Sequence, residues 1–323
     1  MTIIEIKNLT VNYKTNKGYV SALDNISLEI ERGTVTGLVG ESGSGKTTLG
    51  LALLRILPPA ATIKSGEIIV DGVDILKLKE DEMVDLRGKK ISMVFQGAMN
   101  YLNPLINIEE QVAEPLIIHE NITKKEAIRI ARDKLALVGL DENVWRRYPH
   151  ELSGGMRQRV VIAMAIVTSP DILIADEPTT ALDVLTQARI IKLIKSLQKE
   201  FNLTTIIISH DLPMVSEIAD DIIVMYGGKI CEIGRNEEIL ANAKHPYTKG
   251  LLASIPDPKT PKEIVGIPGE PISLLNPPSG CRFYSRCPSA RETCKTYEYE
   301  RYTVGDGHVV LCNLYEGSED ECC

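Results

Sequence analysis

The sequence lacks any long uninterrupted apolar segment. A membrane-spanning helix needs about 18 consecutive apolar residues or more. The longest apolar runs here, such as the one around Ile206–Ile208, have only the length of a buried strand. The chain also lacks a basic segment followed by an apolar one at its start, which is the pattern of a secretory signal. We therefore expect a cytoplasmic location.

An excess of basic residues is missing as well. The 323 residues carry a formal net charge of -8, with 36 Lys and Arg against 44 Asp and Glu. General nucleic-acid binders usually present a basic surface, so this balance argues against a nucleic-acid partner. Hydrophobic residues make up 44% and charged residues 25% of the chain, as in ordinary globular proteins. The length allows one large domain with an appendage, or two domains.

Cysteine is nearly absent from residues 1–280, which contain a single one, Cys231. The other six cysteines lie between residues 281 and 323, and nine of the 17 prolines follow residue 245. The composition therefore changes near His245–Pro246, where we place a boundary between domains 1–245 and 246–323. The tail, residues 246–323, has few periodic segments and needs a stabilising cross-link to fold. In a reducing cytosol, clustered thiols are more often metal ligands than disulfides.

The hydrophobic pattern predicts an α/β fold with a parallel core and a small β layer at the start. Residues 3–11 and Ser27–Ile30 are predicted as edge strands, and Thr47–Leu57 as a helix that ends at Pro58–Pro59. Apolar residues at spacings of three and four predict a helix over Glu126–Val138. A helical insertion is predicted at about residues 97–168. The other predicted strands are Thr34–Val39, Gly66–Gly72, Ile91–Gln96, Ile172–Ala175, Thr204–Ser209 and Ile222–Met225.

A phosphate-binding loop is predicted at residues 40–47, which fit the pattern G-x-x-x-x-G-K-[ST] in full. Its glycines let the backbone wrap a polyphosphate with successive amides pointing inward, and the following helix adds its positive dipole end. Lys46 would reach the β- and γ-phosphates, and the Thr47 hydroxyl would bind Mg²⁺. The alternative is a glycine-rich turn that fits the pattern by chance. The predicted strand before the loop and the predicted helix after it argue against this alternative. The candidate nucleotide-binding residues are Gly40, Ser42, Gly43, Gly45, Lys46, Thr47 and Thr48.

A second motif is an apolar strand that ends in two carboxylates, Asp176 and Glu177. Asp176 would hold Mg²⁺ directly or through water, and Glu177 would polarise the attacking water as a general base. For this motif alone, an acidic strand end that begins a turn is an equal alternative. Downstream of a phosphate loop, the pair predicts nucleotide hydrolysis.

With these motifs in this order, residues 1–240 resemble the ATP-binding-cassette (ABC) ATPases. Further matching segments are Gln96 after an apolar strand, Leu152–Met156, Ala181–Asp183, and His210 after a strand. The resemblance implies a P-loop NTPase (RecA-like) core with an antiparallel β subdomain and an inserted helical subdomain. A small Cys-rich, irregular C-terminal domain would follow. In this family two ATPase domains pack head to tail, and each ATP lies between one phosphate loop and the opposite signature motif.

The signature motif is Leu152–Met156. By the resemblance, Ser153, Gly154 and Gly155 would contact the γ-phosphate of ATP held by the partner subunit. A hydroxyl and glycine amides near a helix N-terminus suit such an anion. Met156 stands where glutamine is usual in the family, and we expect this to tune the site because the anion-binding atoms precede it.

The resemblance also assigns roles to single residues outside the loops. Gln96 would sense the γ-phosphate and Mg²⁺ and move with the helical insertion. His210 would act as a switch at the γ-phosphate, and Asp183 would organise the dimer interface. Tyr13 is the candidate for stacking on adenine, with Tyr19 as the alternative.

Three further segments narrow the resemblance to the ATPase subunits of bacterial and archaeal dipeptide/oligopeptide importers. They are residues 96–104, 245–256, and 277–290 followed by Cys294 and residues 308–312. The resemblance implies a subunit at the cytoplasmic face of the membrane that works with two transmembrane permease chains. An extracytoplasmic solute-binding protein would deliver the peptide. The second ATPase subunit is expected to be a related but different chain, with a homodimer as the alternative.

Other functions remain open at this point. Relatives of these importers carry nickel, sugars or other small solutes. A soluble ABC ATPase acting on DNA or the ribosome usually has two cassettes or a long coiled coil in one chain, and an exporter motor usually has a fused membrane domain. A non-enzymatic iron–sulfur regulator would not need the hydrolytic residues.

The tail cysteines follow the spacing Cys281-x5-Cys287-x6-Cys294-x17-Cys312. Four thiolates could bind zinc or an iron–sulfur cluster. The chain has neither the tight knuckle of common zinc sites nor ferredoxin spacing, so spacing alone does not choose. The importer subunits that the chain resembles carry a [4Fe-4S] cluster on this segment, and the resemblance implies that cofactor, with Zn²⁺ as the alternative. Cys322 and Cys323 are interpreted as loose terminal thiols and Cys231 as a core residue.

Overall fold

The computed structural model describes residues 1–255 and 266–316; Cys322 and Cys323 lie outside this part of the chain. Its strands, in chain order, are β1 Thr2–Thr15, β2 Gly18–Glu31, β3 Val35–Val39, β4 Ala61–Val70, β5 Val73–Asp74, β6 Ile91–Val94, β7 Ile172–Asp176, β8 Thr204–Ser209, β9 Asp221–Tyr226, β10 Lys229–Arg235, β11 Tyr302–Gly305 and β12 His308–Val310. Its α-helices are α1 Lys46–Leu53, α2 Glu80–Leu86, α3 Ile108–His119, α4 Lys124–Leu137, α5 Glu142–Trp145, α6 Gly154–Ile166, α7 Val184–Phe201, α8 Leu212–Ser216, α9 Asn236–Asn242 and α10 Pro246–Ala253.

The chain forms two compact units. The first unit contains Met1–Ile30, Thr36–Leu76 and the chain from Ser209 onward, and the second contains Glu31–Val35 and Lys77–Ile208. The domain boundary after residue 245 and the helical insertion at about 97–168 concern a different division of the chain, and both stay predictions.

The start of the first unit is a small sheet with the strand order β2-β1-β4-β5. Strand β1 is antiparallel to β4, with Ile4 opposite Val70, and it has β2 on its other side. The prediction of an edge strand over residues 3–11 is therefore wrong, since β2 and β5 form the edges. A period of two in hydrophobicity reports which face of a strand is buried, but it does not report how many neighbours the strand has.

The first unit also holds a run of strands in the order β11-β12-β10-β9-β3. Strand β3 is parallel to β9, with Val39 opposite Val224, and all five of its residues are buried. Strand β12 from the tail is antiparallel to β10, with Val310 opposite Glu232. The tail is thus tied to the first unit by backbone hydrogen bonds of a sheet.

The helix after β3 is shorter than predicted. Helix α1 ends at Leu53, and Arg55 has a φ of 51°, the left-handed conformation that commonly ends helices. Helix α1 therefore ends before Pro58–Pro59, and these prolines do not directly terminate it.

The second unit contains parallel strands in the order β8-β7-β6. Their nearly continuous apolar sequences suit strands that are covered on both faces. Helices α3, α4 and α6 pack on one another, and α4 buries Ala127, Ala131 and Leu135 as the predicted pattern requires. Among the helices of the described residues, none has the length and apolar character needed to cross a membrane.

Candidate nucleotide site

The phosphate loop of the first unit connects β3 to α1. Gly40 follows the buried strand with a φ of 151°, and a Cβ at this residue would lie 2.1 Å from the carbonyl oxygen of Met225 on β9. Gly45 has a φ of 102° and immediately precedes the first helical residue, Lys46. A Cβ at Gly45 would lie 2.5 Å from the Ala22 carbonyl oxygen. Both glycines are therefore required by the close approach of backbone and by a conformation that side chains disfavour.

The lysine of this loop is buried and contacts the loop itself. The Lys46 Nζ donates to the Gly40 carbonyl at 2.6 Å, to the Glu41 carbonyl at 3.0 Å and to the Ser44 hydroxyl at 3.3 Å. Thr47 is exposed, whereas the side chain of Thr48 is buried. The ammonium thus lies inside the curve of the loop, where a polyphosphate would meet it.

The two candidate adenine-stacking residues have different surroundings. The Tyr13 hydroxyl lies 3.2 Å from the Thr48 hydroxyl, which places Tyr13 beside the helix that follows the phosphate loop. Tyr19 is 51% exposed, and the Lys64 Nζ lies over its ring, 5.2 Å from the ring centroid. The contact to Thr48 favours Tyr13 over Tyr19, although stacking on adenine stays a prediction. His210, also in the first unit, is exposed just beyond β8.

The acidic strand end lies in the second unit. Asp176 is the last residue of β7 and is 1% exposed, and the adjacent parallel strand β6 ends two residues before Gln96. The carboxyl ends of these strands meet at one edge, so Gln96 and the two carboxylates lie at that edge. Glu177 has a φ of 46°, a strained conformation for a residue with a side chain. Such strain clusters at functional sites.

The signature residues begin helix α6 in the second unit. The Ser153 hydroxyl accepts a hydrogen bond from the Met156 amide at 3.4 Å, so Ser153 caps the helix. Gly155 faces the start of α7, and a Cβ there would lie 2.6 Å from the Thr186 Cγ2. Gly154 faces Leu182, whose Cδ2 would lie 3.3 Å from an added Cβ. The motif is therefore an exposed helix N-terminus supported from behind by the segment that starts α7.

Asp183 caps that neighbouring helix. Its carboxylate accepts from the Thr186 amide at 3.0 Å and from the Thr186 hydroxyl at 2.7 Å. The hydrogen bond from the Thr186 hydroxyl, with that from the amide, lowers the pKa of the Asp183 carboxyl. In this chain Asp183 therefore fixes the start of α7; its role at a dimer interface stays a prediction.

The four tail cysteines come together in the first unit. Cys281, Cys287, Cys294 and Cys312 line one small cavity, together with His245 and other residues. Burial raises the pKa of the Cys281 and Cys312 thiols to about 11, and neighbouring thiols add to the increase. Burial lowers the pKa of His245 to about 3, which keeps this ring neutral. Across residues 1–255 and 266–316, no three or more His, Cys, Asp or Glu side chains are arranged to hold a metal ion.

Two family models match the chain. Residues 23–180 match the ABC transporter model, and residues 231–294 match the model of the oligopeptide/dipeptide transporter C-terminal region. The oligopeptide transport ATP-binding protein OppD of Bacillus subtilis (strain 168) is 44% identical over 313 residues, which are 95% of this chain and 87% of that protein. This chain belongs to the ATP-binding proteins of the oligopeptide/dipeptide ABC transporter family.

Other relatives agree with this ABC assignment. The dipeptide transport ATP-binding protein DppD of Caldanaerobacter subterraneus subsp. tengcongensis is 43% identical over 318 residues, which are 97% of each chain. A dimeric bacterial ABC transporter cassette superposes with a TM-score of 0.65 at 33% identity, covering 72% of this chain and 99% of the cassette. The same cassette in a dimeric post-hydrolysis state bound to ADP and Pi has a TM-score of 0.65 at 32% identity. The predicted P-loop NTPase fold and the ABC-type ATPase activity are confirmed.

One set of contacts in this ABC ATPase was not anticipated from its sequence. Glu41 inside the phosphate loop pairs with Arg286 from the tail, 245 residues later. Tyr247 of α10 accepts a hydrogen bond from the Glu41 amide at 2.8 Å. The only sequence signal was the position of Arg286 directly before Cys287, in a segment that already pointed to the importer branch.

Proposed function

We propose that this chain is the ATP-hydrolysing motor subunit of a membrane importer for dipeptides or oligopeptides. The observation that carries the proposal is that one chain holds both an ABC cassette and the oligopeptide/dipeptide-type C-terminal region. The relatives named above are peptide transport ATP-binding proteins, which supports peptides as the cargo. Nickel, sugars or other small solutes are the alternative cargo, and a soluble ABC ATPase acting on DNA or the ribosome is a more distant alternative.

The phosphate loop supplies the binding half of the chemistry. The amides of residues 40–45 would cradle the triphosphate of ATP, with the Lys46 ammonium neutralising the β- and γ-phosphates. Tyr13 would stack on the adenine, close to where its hydroxyl meets Thr48. Thr47, Gln96 and Asp176 offer the oxygen ligands that Mg²⁺ prefers, and the ion would shield the phosphate charge when bound.

Glu177 supplies the hydrolytic half. Its carboxylate would orient a water molecule and take its proton as the water oxygen attacks the γ-phosphorus. The bond from the γ-phosphorus to the bridging oxygen of the β-phosphate would break, and ADP and phosphate would leave. His210 and Gln96 would contact the γ-phosphate region, so that hydrolysis depends on the presence of the terminal phosphate. The strained backbone at Glu177 supports a side chain that is held in one position for this task.

A second ATPase subunit would complete the site. The exposed N-terminus of α6, with Ser153, Gly154 and Gly155, would bind the γ-phosphate of ATP on the partner's phosphate loop. ATP would then close the pair, and hydrolysis would reopen it. We expect the partner to be a related but different chain, with a homodimer as the alternative.

Transport would require membrane partners. Two permease chains would receive the motion of the ATPase pair at the cytoplasmic face of the membrane, and an extracytoplasmic binding protein would deliver the solute. The test is to purify the tagged chain from detergent-solubilised membranes of its host and to measure ATP hydrolysis after reconstitution in vesicles.

We expect the tagged chain to co-purify with two permease chains and a second ATPase subunit. ATP hydrolysis should rise several-fold when peptide-loaded binding protein is added, because the loaded receptor favours closure of the complex. Nickel- or sugar-loaded receptors serve as controls. Stimulation by those solutes and not by peptides would contradict peptide import, and recovery only with ribosomes or DNA would contradict import altogether.

We further propose that Cys281, Cys287, Cys294 and Cys312 hold a [4Fe-4S] cluster, with Zn²⁺ as the alternative. The four thiols line one cavity, and four thiolates are the usual donor set of such clusters. In the described part of the chain these thiols are not arranged to hold a metal ion, so the side chains would have to reorient when the cluster binds. When bound, the cluster would cross-link the tail and replace the apolar core that this segment lacks.

Replacing Cys287 with Ser tests the cluster. We expect anaerobically purified Cys287→Ser protein to lose its iron and its visible absorbance, and to become protease-sensitive in the tail. Cys231→Ala is the matched control, because Cys231 is a buried thiol of β10 that does not line the cavity. Full iron content in Cys287→Ser, or zinc without iron in the unaltered protein, would contradict the iron–sulfur proposal.

A further inference from the structure

The phosphate loop is held by the tail through a two-pronged ion pair. The Arg286 Nη1 donates to Glu41 Oε2 at 2.7 Å, and the Arg286 Nη2 donates to Glu41 Oε1 at 3.0 Å. Glu41 lies between Gly40 and Ser42, within the nucleotide-binding loop. Parallel bonds of this kind are stronger and geometrically more specific than a single charged contact.

The guanidinium of Arg286 is fixed by its other contacts. Its Nε donates to the Pro268 carbonyl at 2.8 Å, and its Nη1 also contacts the Tyr226 hydroxyl at 3.2 Å. The Arg286 side chain is only 4% exposed, and its guanidinium carbon, Cζ, lies 5.6 Å from the centroid of the Tyr226 ring. Arg286 therefore loses little conformational freedom by binding Glu41, because its position is already determined.

The backbone of the loop is held at the same residue. The Glu41 amide donates to the hydroxyl of Tyr247, a fully buried side chain. The Tyr247 ring packs against Tyr226 at 4.7 Å and against Phe283 at 5.3 Å between ring centroids. Phe283 and Arg286 belong to the same cysteine-containing segment, so this segment determines where Glu41 lies.

A carboxylate inside an anion-binding loop needs compensation. ATP brings several negative charges to the amides of this loop, and a bare Glu41 carboxylate would repel them. We propose that Arg286 is a positioning residue of the ATP site, which acts by neutralising the Glu41 carboxylate so that this charge does not oppose the phosphates of ATP. The tail is then a determinant of ATP affinity. This inference depends on ATP binding by the loop.

The test is the dissociation constant for MgATP of the purified full-length chain, followed with a fluorescent ATP analogue. Arg286→Met is expected to raise the constant about tenfold at low ionic strength, because the half-buried Glu41 carboxylate near the phosphates loses its partner. The increase should shrink at high salt, since salt screens the repulsion. Arg286→Lys, which keeps the charge but loses the two-pronged geometry, should give a constant between those of Arg286→Met and the unaltered chain.

The decisive comparison is the double variant Arg286→Met/Glu41→Gln. Removing the carboxylate as well should recover most of the lost affinity, which a purely structural role of Arg286 would not allow. The matched control is Lys295→Met, an exposed cation of the same segment that pairs locally with Glu292 at 2.9 Å. If Arg286→Met prevents folding, Arg286→Gln is compared with Arg286→Gln/Glu41→Gln in the same way. An unchanged dissociation constant for MgATP in Arg286→Met would overturn the proposal. Equally weak MgATP binding by Arg286→Met and by Arg286→Met/Glu41→Gln would also overturn it.

Discussion

At the scale of single residues, each unit has a backbone position that its own surroundings constrain. Glu177 adopts a left-handed backbone at the end of β7, and its amide donates to the Ile208 carbonyl at 2.9 Å. Gly40 approaches the β9 backbone so closely that no side chain fits. Strain of this kind costs roughly 1–3 kcal/mol per residue and persists only where the surroundings enforce it. The surroundings here are buried parallel strands, which are rigid supports.

The first prediction concerns the Glu177 carboxylate. Glu177→Gln should retain MgATP binding, lower phosphate release about 100-fold or more, and accumulate an ATP-bound closed pair with its partner ATPase. Phosphate release and size-exclusion chromatography with ATP are the measurements. Glu200→Gln, at the exposed end of α7, is the control and should behave as the unaltered chain. A normal rate of phosphate release from Glu177→Gln would rule out the general-base assignment.

At the scale of elements, the second unit depends on how α6 meets α7. Both helices start with a capping side chain, Ser153 for α6 and Asp183 for α7. The two starts meet at Gly155 and Thr186, where an added Cβ would lie 2.6 Å from the Thr186 methyl group. The contact sets the direction in which the N-terminal amides of α6 point, and those amides are the proposed anion site.

A second prediction follows from this helix contact. Gly155→Ala should destabilise the protein by about 1–3 kcal/mol through overpacking and reduce ATP hydrolysis in the assembled transporter. Thr186→Ser removes only the methyl group and keeps the hydroxyl that donates to Asp183. The double variant should therefore regain stability in urea denaturation and part of the activity. If Thr186→Ser gives no rescue, steric contact with α7 is not the reason for glycine at this position.

At the scale of the whole molecule, residues distant in sequence form the first unit. The tail enters it through β12, and His308 Nε2 lies 2.7 Å from Glu232 Oε1 in a site where both side chains are essentially unexposed. The Glu232 carboxylate also accepts from the Lys244 and His245 amides at 2.6 and 3.0 Å. One buried carboxylate thus joins β10, the start of α10 and the tail.

The third prediction tests this junction. His308→Ala leaves Glu232 without one of its buried donors and should cost about 1–3 kcal/mol, with faster proteolysis of the tail than in the unaltered chain. Urea denaturation and limited proteolysis measure the two effects. His150→Ala, an exposed histidine of the second unit, is the control. A tail that resists protease equally in His308→Ala would mean that the strand pairing of β12 suffices to hold it.

The chain's own sequence determined the motifs and most of the elements that carry them. The phosphate loop, the acidic end of β7 and the start of α6 each depend on local requirements: glycine conformation, a buried apolar run, and a capping hydroxyl. Helix α4 differs from its prediction by one or two residues at each end, because apolar periodicity is a local property. Only the tertiary structure decided that β1 is an inner strand, that four cysteines spaced by 5, 6 and 17 residues share one cavity, and that Arg286 meets Glu41. Those outcomes depend on which distant segments pack together, and neither spacing nor periodicity encodes that without the rest of the fold.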